Sequence, residues 1–190
     1  MISTRSIYFL VVLGNFFAIL VAAVGYYYLH YRWTRKSPYG KWDSLLKRLS
    51  FVDRGKIELI ARDLIDESGQ WRTDENESDF DPSQIWDLIG GLKGLEVLER
   101  NSAVLVDLAF YVQQWYPEAL LVAEQLRLNA REMEWHIGRL KDAARLGRLE
   151  TFFPDYAQRA IATYYLMTRR VLTLYEQCHL PGLADLQRAL

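Results

Sequence analysis

The chain has 190 residues, of which 51% are hydrophobic and 14% aromatic, and its formal net charge is −1. This hydrophobic content excludes a disordered protein, and the balanced charge gives no electrostatic reason to expect nucleic acid as a partner. A single cysteine, Cys178, excludes an internal disulfide framework and fits a reducing compartment.

The first predicted element is a transmembrane helix over residues 7–29, preceded by a short extracytoplasmic N-terminus, residues 1–6. No residue of the 7–29 stretch carries a formal charge. As a helix it would span roughly 34 Å, enough to cross a hydrocarbon core of about 30 Å. It also lacks the polar face that an amphipathic core helix needs. We therefore expect a single-pass signal-anchor segment in contact with membrane lipid.

Basic residues concentrate on the C-terminal side of this segment. Lys and Arg are retained preferentially on the cytoplasmic side of a membrane, so the imbalance predicts a cytoplasmic C-terminal domain. The expected location is a membrane, which in a bacterium would be the inner membrane. The residues predicted to lie at the membrane interface are Tyr26, Tyr27, Tyr28, Tyr31, Arg32, Trp33, Arg35 and Lys36.

A cleaved signal peptide is the alternative interpretation of the same segment. Residues 21–23 could form a small-residue cleavage site, which would release an exported helical protein that starts at Val24. The apolar run continues beyond this site into aromatic and basic residues, and this continuation favours the anchor.

Small residues recur every four positions within the predicted span, at Gly14, Ala18 and Ala22. They share one helix face and would let two helices approach closely in lipid, where packing drives association. The spacing would allow a transmembrane dimer face, but a single span surrounded by lipid is the favoured interpretation, because Gly and Ala are common in any membrane helix.

Residues 30–52 form a basic juxtamembrane segment, in which residues 41–51 have the spacing of a short amphipathic helix. Its apolar side contains Trp42, Leu45, Leu46 and Leu49. Such a helix can lie among lipid headgroups, or it can be the first helix of the soluble domain. The sequence leaves both interpretations open.

Residues 53–180 are predicted to form an all-α domain, a bundle of four to six helices. Asp53 is the expected N-cap of its first helix. A solvated acidic loop over residues 66–81 ends at Pro82, which suits the first turn of the next helix. The domain therefore begins with one short helix, a loop and a second helical region.

Within residues 82–116 the apolar spacing slips near residues 99–102, which favours two helices joined there over one long helix. Gly90, Gly91 and Gly94 indicate close packing or a kink, because each would weaken a plain helix by about 1 kcal/mol.

A long C-terminal antiparallel hairpin is predicted from two heptad-like apolar seams, over residues 119–144 and 157–178. Pro154 is expected to open the second helix of the hairpin, and Pro181 to end it. Residues 181–190 then form a C-terminal tail.

Glu176 and His179 have the Glu-x-x-His spacing used by di-metal sites in helical bundles, but such a site needs a second copy and two more glutamates. Glu132 and His136 have the wrong spacing of four, and His136 is expected to face solvent. Glu176 and His179 are therefore incomplete metal candidates. We assign no catalytic or cofactor-binding residue and expect no cofactor.

Two features of the soluble part suggest binding surfaces. Arg169 and Arg170 could form a solvated face, pair with the acidic loop or dock an acidic partner. Exposed tryptophans would mark an interface, and the soluble part contains Trp71, Trp86, Trp115 and Trp135.

The predicted function is a non-enzymatic interaction or scaffolding module at the cytoplasmic face of a membrane, binding itself or another protein. The alternative is a small-molecule- or metal-binding bundle with catalytic capacity. A well-filled core favours the first function. An internal cavity lined by His, Glu or Arg from different helices favours the second.

Overall fold

The computed structural model describes residues 13–17, 19–21, 23–25, 42–66, 68–72 and 80–190. The chain divides into two compact units, Met1–Pro38 and Tyr39–Leu190. In the first unit the described residues are helical, and their large apolar side chains are exposed. None of the helices within the described ranges is both long and apolar enough to cross a membrane.

The described part of the second unit is all-helical, which confirms the predicted class. Its helices are α1 (Trp42–Leu46), α2 (Arg54–Leu64), α3 (Pro82–Ile89), α4 (Gly91–Gln113), α5 (Ala119–Arg145), α6 (Leu149–Gln177) and α7 (Leu183–Ala189). Among the described residues, five of these helices lie within residues 53–180, in agreement with the predicted four to six, and α1 and α7 lie on either side of that range. Residues 181–190, predicted to be a tail, contain α7, which buries Leu186 against the core.

The three long helices α4, α5 and α6 form the centre of the bundle. Only residues 146–148 separate α5 from α6, so these two helices run antiparallel as a hairpin, and α4 packs against both. The shared core consists of fully buried side chains from all three helices, including Leu95, Leu98, Leu105, Leu108, Leu126, Met133, Ile137, Leu140, Ile161, Met167 and Val171.

The short helix α1 belongs to this bundle. Leu45 is fully buried, and Trp42, Leu46 and Leu49 pack against the same core. The sequence left open whether α1 lies among lipid headgroups or is the first helix of the soluble domain. The structure favours the second interpretation. The helix that follows begins at the predicted N-cap, where the Asp53 carboxylate accepts hydrogen bonds from the Gly55 and Lys56 amides.

Residues 82–116 contain two helices, as predicted, but their junction lies at Gly90, so the position predicted near residues 99–102 was wrong. Gly90 has φ 78°, a left-handed conformation that ends α3. Asn101 and Ser102 lie inside α4 and are buried. The Ser102 hydroxyl donates a hydrogen bond to the Glu99 carbonyl of the same helix. The serine that could have capped a helix therefore has its hydrogen-bond partner inside α4.

The prediction that Pro154 opens the second hairpin helix was also wrong, because α6 begins at Leu149. Pro154 lies in the second turn of α6 and removes the backbone hydrogen bond that residue 154 would otherwise donate to the Glu150 carbonyl. The preceding turn is held by the buried Phe153, whose ring centroid lies 4.8 Å from that of Trp86.

A buried amide joins the segment after α1 to the bundle. The Oδ1 atom of Asn101 accepts a hydrogen bond from the Ser50 amide at 2.9 Å. Its Nδ2 atom donates to the Ser50 carbonyl at 2.7 Å and to the Tyr164 hydroxyl at 3.3 Å. Asn101 is 1% exposed, and burial raises the pKa of Tyr164. This amide holds the segment between α1 and α2 against α4 and α6.

Asn101→Leu should lower the free energy of unfolding by about 1–3 kcal/mol, because it leaves the Ser50 backbone and the Tyr164 hydroxyl without a partner. Denaturant unfolding of the full-length protein in mild detergent measures this loss. Arg100→Leu changes the exposed neighbouring residue and should stay within about 0.5 kcal/mol of wild type. Equal unfolding midpoints for the two variants would show that the amide contributes nothing.

Two helical glycines offer a matched pair of alanine substitutions. A Cβ atom added at Gly94 would overlap the Ile89 carbonyl oxygen, whereas one added at Gly138 would meet no atom within 4 Å. We expect Gly94→Ala to destabilise the protein by about 1–3 kcal/mol through overpacking. Gly138→Ala should stabilise it by about 0.5–1 kcal/mol through helix propensity. Thermal unfolding tests both, and a stabilising Gly94→Ala would contradict the tight α3–α4 junction.

Candidate interaction surface

The outward face of α5 carries an apolar stripe that the bundle leaves uncovered. Its residues are Leu121, Leu128 and Trp135, which are 74%, 58% and 52% exposed. They follow one another at intervals of seven and therefore share one side of the helix. We refer to these three residues as the α5 stripe.

The core seam of α5 has the same period on the opposite side of the helix. It consists of Ala119, Leu126, Met133 and Leu140, all fully buried. Each stripe residue follows a seam residue by two positions, which is a rotation of about 200° around the helix axis. The helix therefore has two apolar sides, one packed in the bundle and one facing solvent.

Charged residues of both signs flank the α5 stripe. Glu124 and Arg131 follow Leu121 and Leu128 by three positions. Glu132 and Arg139 follow Leu128 and Trp135 by four positions. The Glu124 carboxylate pairs with Arg127 at 2.7 Å. The Arg139 guanidinium lies 5.4 Å from the centroid of the Trp135 ring. This pattern of an apolar line between charges is typical of helices that pair with other helices.

His136 lies beside the stripe but is only 4% exposed, so the prediction that it faces solvent was wrong. Its ring is covered by Trp135 and Tyr156, with ring centroids 5.0 and 5.6 Å away. Burial lowers the pKa of His136; the Glu132 carboxylate, 3.7 Å from Nε2, opposes this shift, and Arg159 adds to it. The histidine is therefore a neutral part of the α5–α6 contact near pH 7.

The two incomplete metal candidates do not come together on one helix face. Helix α6 ends at Gln177, and His179 lies beyond it with φ 48°, whereas Glu176 is still helical. Both side chains are exposed. Across the residues that the structure describes, no three His, Cys, Asp or Glu side chains are grouped to hold a metal ion.

Two pockets lie at the surface of the bundle, between helices. One of about 560 Å³ is lined by aromatic side chains, among them Trp42, Tyr111 and Tyr175. The other, of about 600 Å³, lies beside Trp86 and Phe153. Glu150 is among the residues that line the second pocket, but both pockets are open to solvent, so neither is the internal cavity that would favour a metal-binding bundle.

The described tryptophans of the soluble part are exposed where the sequence indicated interfaces. More than a third of the surface is exposed to solvent in each of Trp71, Trp86, Trp115 and Trp135. Of these four, only Trp135 belongs to a periodic line of exposed apolar residues. Periodicity therefore separates the α5 stripe from single exposed aromatics, which are common on soluble proteins.

Several predicted site residues lie outside the described ranges. These are the membrane-interface residues, Tyr26 to Lys36, and two members of the predicted dimer face, Ala18 and Ala22. The third member, Gly14, is helical, and a Cβ atom added to it would meet no atom within 4 Å.

No protein-family model, curated protein or solved structure matches this chain. Function must therefore be inferred from its own residues, and the α5 stripe is the most extended feature they offer. It was missed in the sequence because the apolar period of α5 was assigned only to the core seam. The sequence signal for the stripe was a second heptad repeat, displaced by two positions from the core seam.

Lowering the pH should destabilise the wild-type protein more than His136→Phe, which keeps a ring between Trp135 and Tyr156. The pKa of the folded-state histidine is below its ordinary value of 6.5, so the unfolded chain binds more protons as the pH falls through 6.5. The contribution of neutral His136 to the free energy of unfolding is fully present above pH 6.5. It is lost as the pH falls towards the pKa of the histidine in the folded state.

Thermal unfolding midpoints of both full-length proteins between about pH 7.5 and pH 5.5 measure this difference. The pH-dependent contributions of titrating groups that both proteins share cancel when their midpoints are compared. An identical pH dependence for wild type and His136→Phe would contradict a buried neutral histidine.

Proposed function

We propose that this chain is a membrane-tethered, non-enzymatic interaction module whose bundle associates with a second copy through the α5 stripe. The observation that carries the proposal is the position of the stripe opposite the core seam. Because α5 already buries one apolar side in its own bundle, the second side adds nothing to the fold while it remains in water. An apolar line with a seven-residue period is the pattern that paired helices bury.

Charge complementarity favours a second copy arranged antiparallel, with a two-fold axis at Leu128. This axis brings Leu121 of one copy opposite Trp135 of the other, since each is seven residues from Leu128. Glu124 of one copy then lies near Arg131 of the other. Farther from the axis, Glu118 lies near Arg139. Because a two-fold interface repeats each contact, the arrangement gives four ion pairs of opposite charge.

The stripe by itself would give a weak dimer. Helix α5 has 27 residues and is about 40 Å long, but three large side chains make a narrower contact than the double seam of a stable coiled coil. A tether compensates for low affinity, because it raises the effective concentration of the second copy to the millimolar range or so.

We propose the segment over residues 7–29 as this tether, a single-pass anchor with the bundle on the cytoplasmic side. Its support is the run of uncharged residues, the basic flank that follows, and the exposed apolar side chains of its described helical residues. A small-residue face through Gly14, Ala18 and Ala22 would add a second contact between copies within lipid.

Cysteine cross-linking of the full-length protein in liposomes tests the interface. In a Cys178→Ser background, Leu128→Cys should form a covalent dimer on mild oxidation, because the proposed axis brings the two thiols together. Leu121→Cys and Trp135→Cys, carrying tags of different size, should cross-link with each other and not with themselves. Leu59→Cys on α2 is the matched control, a leucine that is 51% exposed and lies outside the stripe.

Equal dimer yields for Leu128→Cys and Leu59→Cys would indicate random collision and contradict the interface. Efficient cross-linking of Leu121→Cys with itself would indicate parallel helices and contradict the antiparallel arrangement. The tether is tested separately by alkaline extraction of membranes, which should leave the full-length protein in the pellet. Deletion of residues 7–29 should release the protein to the supernatant.

A further inference from the structure

Aromatic side chains line a surface pocket that is formed by α1, the ends of α4 and α6, and the start of α7. The pocket has a volume of about 560 Å³, which is within the range of small-molecule sites. Five aromatic residues contribute to its lining, and they come from four separate segments of the chain: Trp42, Tyr111, Trp115, Tyr116 and Tyr175. Tertiary packing therefore concentrates at this pocket rings that are far apart in the sequence.

Four of these rings form a continuous row from the core to the surface. The centroid of the Tyr175 ring lies 5.0 Å from that of Trp42, and the Trp42 centroid lies 6.2 Å from that of Tyr111. The Tyr111 centroid lies 4.7 Å from that of Trp115, with an edge-to-face arrangement of the two rings. Tyr175 is 2% exposed, whereas Trp115 is 56% exposed. The row thus begins at a buried ring and ends at one with most of its surface in water.

The inner rings of the row are held in place by the fold. Gly182 has φ 94°, and a Cβ atom added to it would lie 2.9 Å from the Trp42 indole, so the backbone packs directly against that ring. The Tyr175 hydroxyl donates a hydrogen bond to the Leu108 carbonyl at 3.3 Å and is therefore engaged inside the bundle. Because these rings are already positioned, little ordering would oppose the binding of a ligand.

The pocket also carries negative charge. Among its described lining residues the charged side chains are two exposed carboxylates, Asp43 and Asp185. The Asp185 carboxylate also pairs with Arg188 at 2.8 Å, an exposed ion pair of the kind that contributes little to stability. The face of an aromatic ring is the negative part of its quadrupole, so rings and carboxylates both attract a cation.

We propose that this pocket binds a quaternary ammonium cation, either as a free compound or as the choline headgroup of a zwitterionic lipid. A quaternary ammonium has no N–H group to donate, and it is recognised by aromatic ring faces together with nearby negative charge. A metal ion such as Ca²⁺ would instead need several oxygen ligands around one point. This site shares no residue with the α5 stripe and does not depend on self-association.

Calorimetric titration of the full-length protein with choline chloride tests the free compound, in a detergent whose headgroup is a sugar. We expect saturable binding that sodium chloride at equal ionic strength does not reproduce. The neutral isostere of choline, in which a carbon atom replaces the nitrogen, should bind about tenfold more weakly because the attraction of rings and carboxylates for a cation is lost.

Two pairs of variants test the rings and the charge. Trp115→Leu should raise the Kd for choline about fivefold, whereas Trp115→Phe, which keeps a ring, should stay within about threefold of wild type. Trp71→Leu is the matched control, at a tryptophan that is 44% exposed and lies outside the pocket. Asp43→Asn should raise the Kd about threefold, and Asp155→Asn, at an exposed carboxylate of α6, should leave it unchanged.

Titration with short-chain phosphatidylcholine below its micellar concentration tests the lipid source. A Kd at least tenfold lower than that of choline, with the same loss in Trp115→Leu, would assign the site to a lipid headgroup. A Kd similar to that of choline, or higher, would assign it to a free ammonium compound.

Absence of saturable binding by both probes would overturn the proposal. Equal affinities for choline and its neutral isostere would reduce the site to an apolar groove and overturn it as well. The same holds if Trp115→Leu binds choline as tightly as Trp71→Leu, or Asp43→Asn as tightly as Asp155→Asn. Unchanged thermal midpoints of the variants without ligand establish that each is folded. Cross-linking through Leu128→Cys does not depend on this pocket, so the two proposals can fail independently.

Discussion

The close antiparallel packing of α5 against α6 is the constraint on which the rest of the domain depends. Both helices contribute alanines to the fully buried contact, among them Ala123, Ala157 and Ala160, and small side chains let the two backbones approach. Because the packing fixes which side of α5 enters the core, it also fixes which side remains outside. The exposed α5 stripe follows directly from the buried seam and the helix period.

Polar groups within the bundle fall into two classes. Asn101 uses both its donors and its acceptor to hold the Ser50 backbone and the Tyr164 hydroxyl. Three other buried side-chain atoms, in Asn129, His136 and Thr163, have no hydrogen-bond partner within the described ranges, and all three belong to α5 or α6. The helices of the hairpin therefore hold buried polar atoms without a hydrogen-bond partner among the described residues, at a cost to stability.

The same hairpin carries the proposed surface for a second copy, because the α5 stripe lies on its outer side. The rest of the bundle, through α2, α4 and the short terminal helices, supports the hairpin by burying its inner sides.

The sequence by itself determined the all-α class, the long hairpin, the N-cap at Asp53 and the first-turn position of Pro82. These features depend on apolar periodicity and on capping groups only a few residues from the backbone they satisfy. Only the tertiary structure decided that Asn101 lies inside a helix, because its partners are 51 and 63 residues away in the chain. The burial of His136 has the same physical reason. It depends on which surfaces meet when distant segments pack, and local spacing does not specify that.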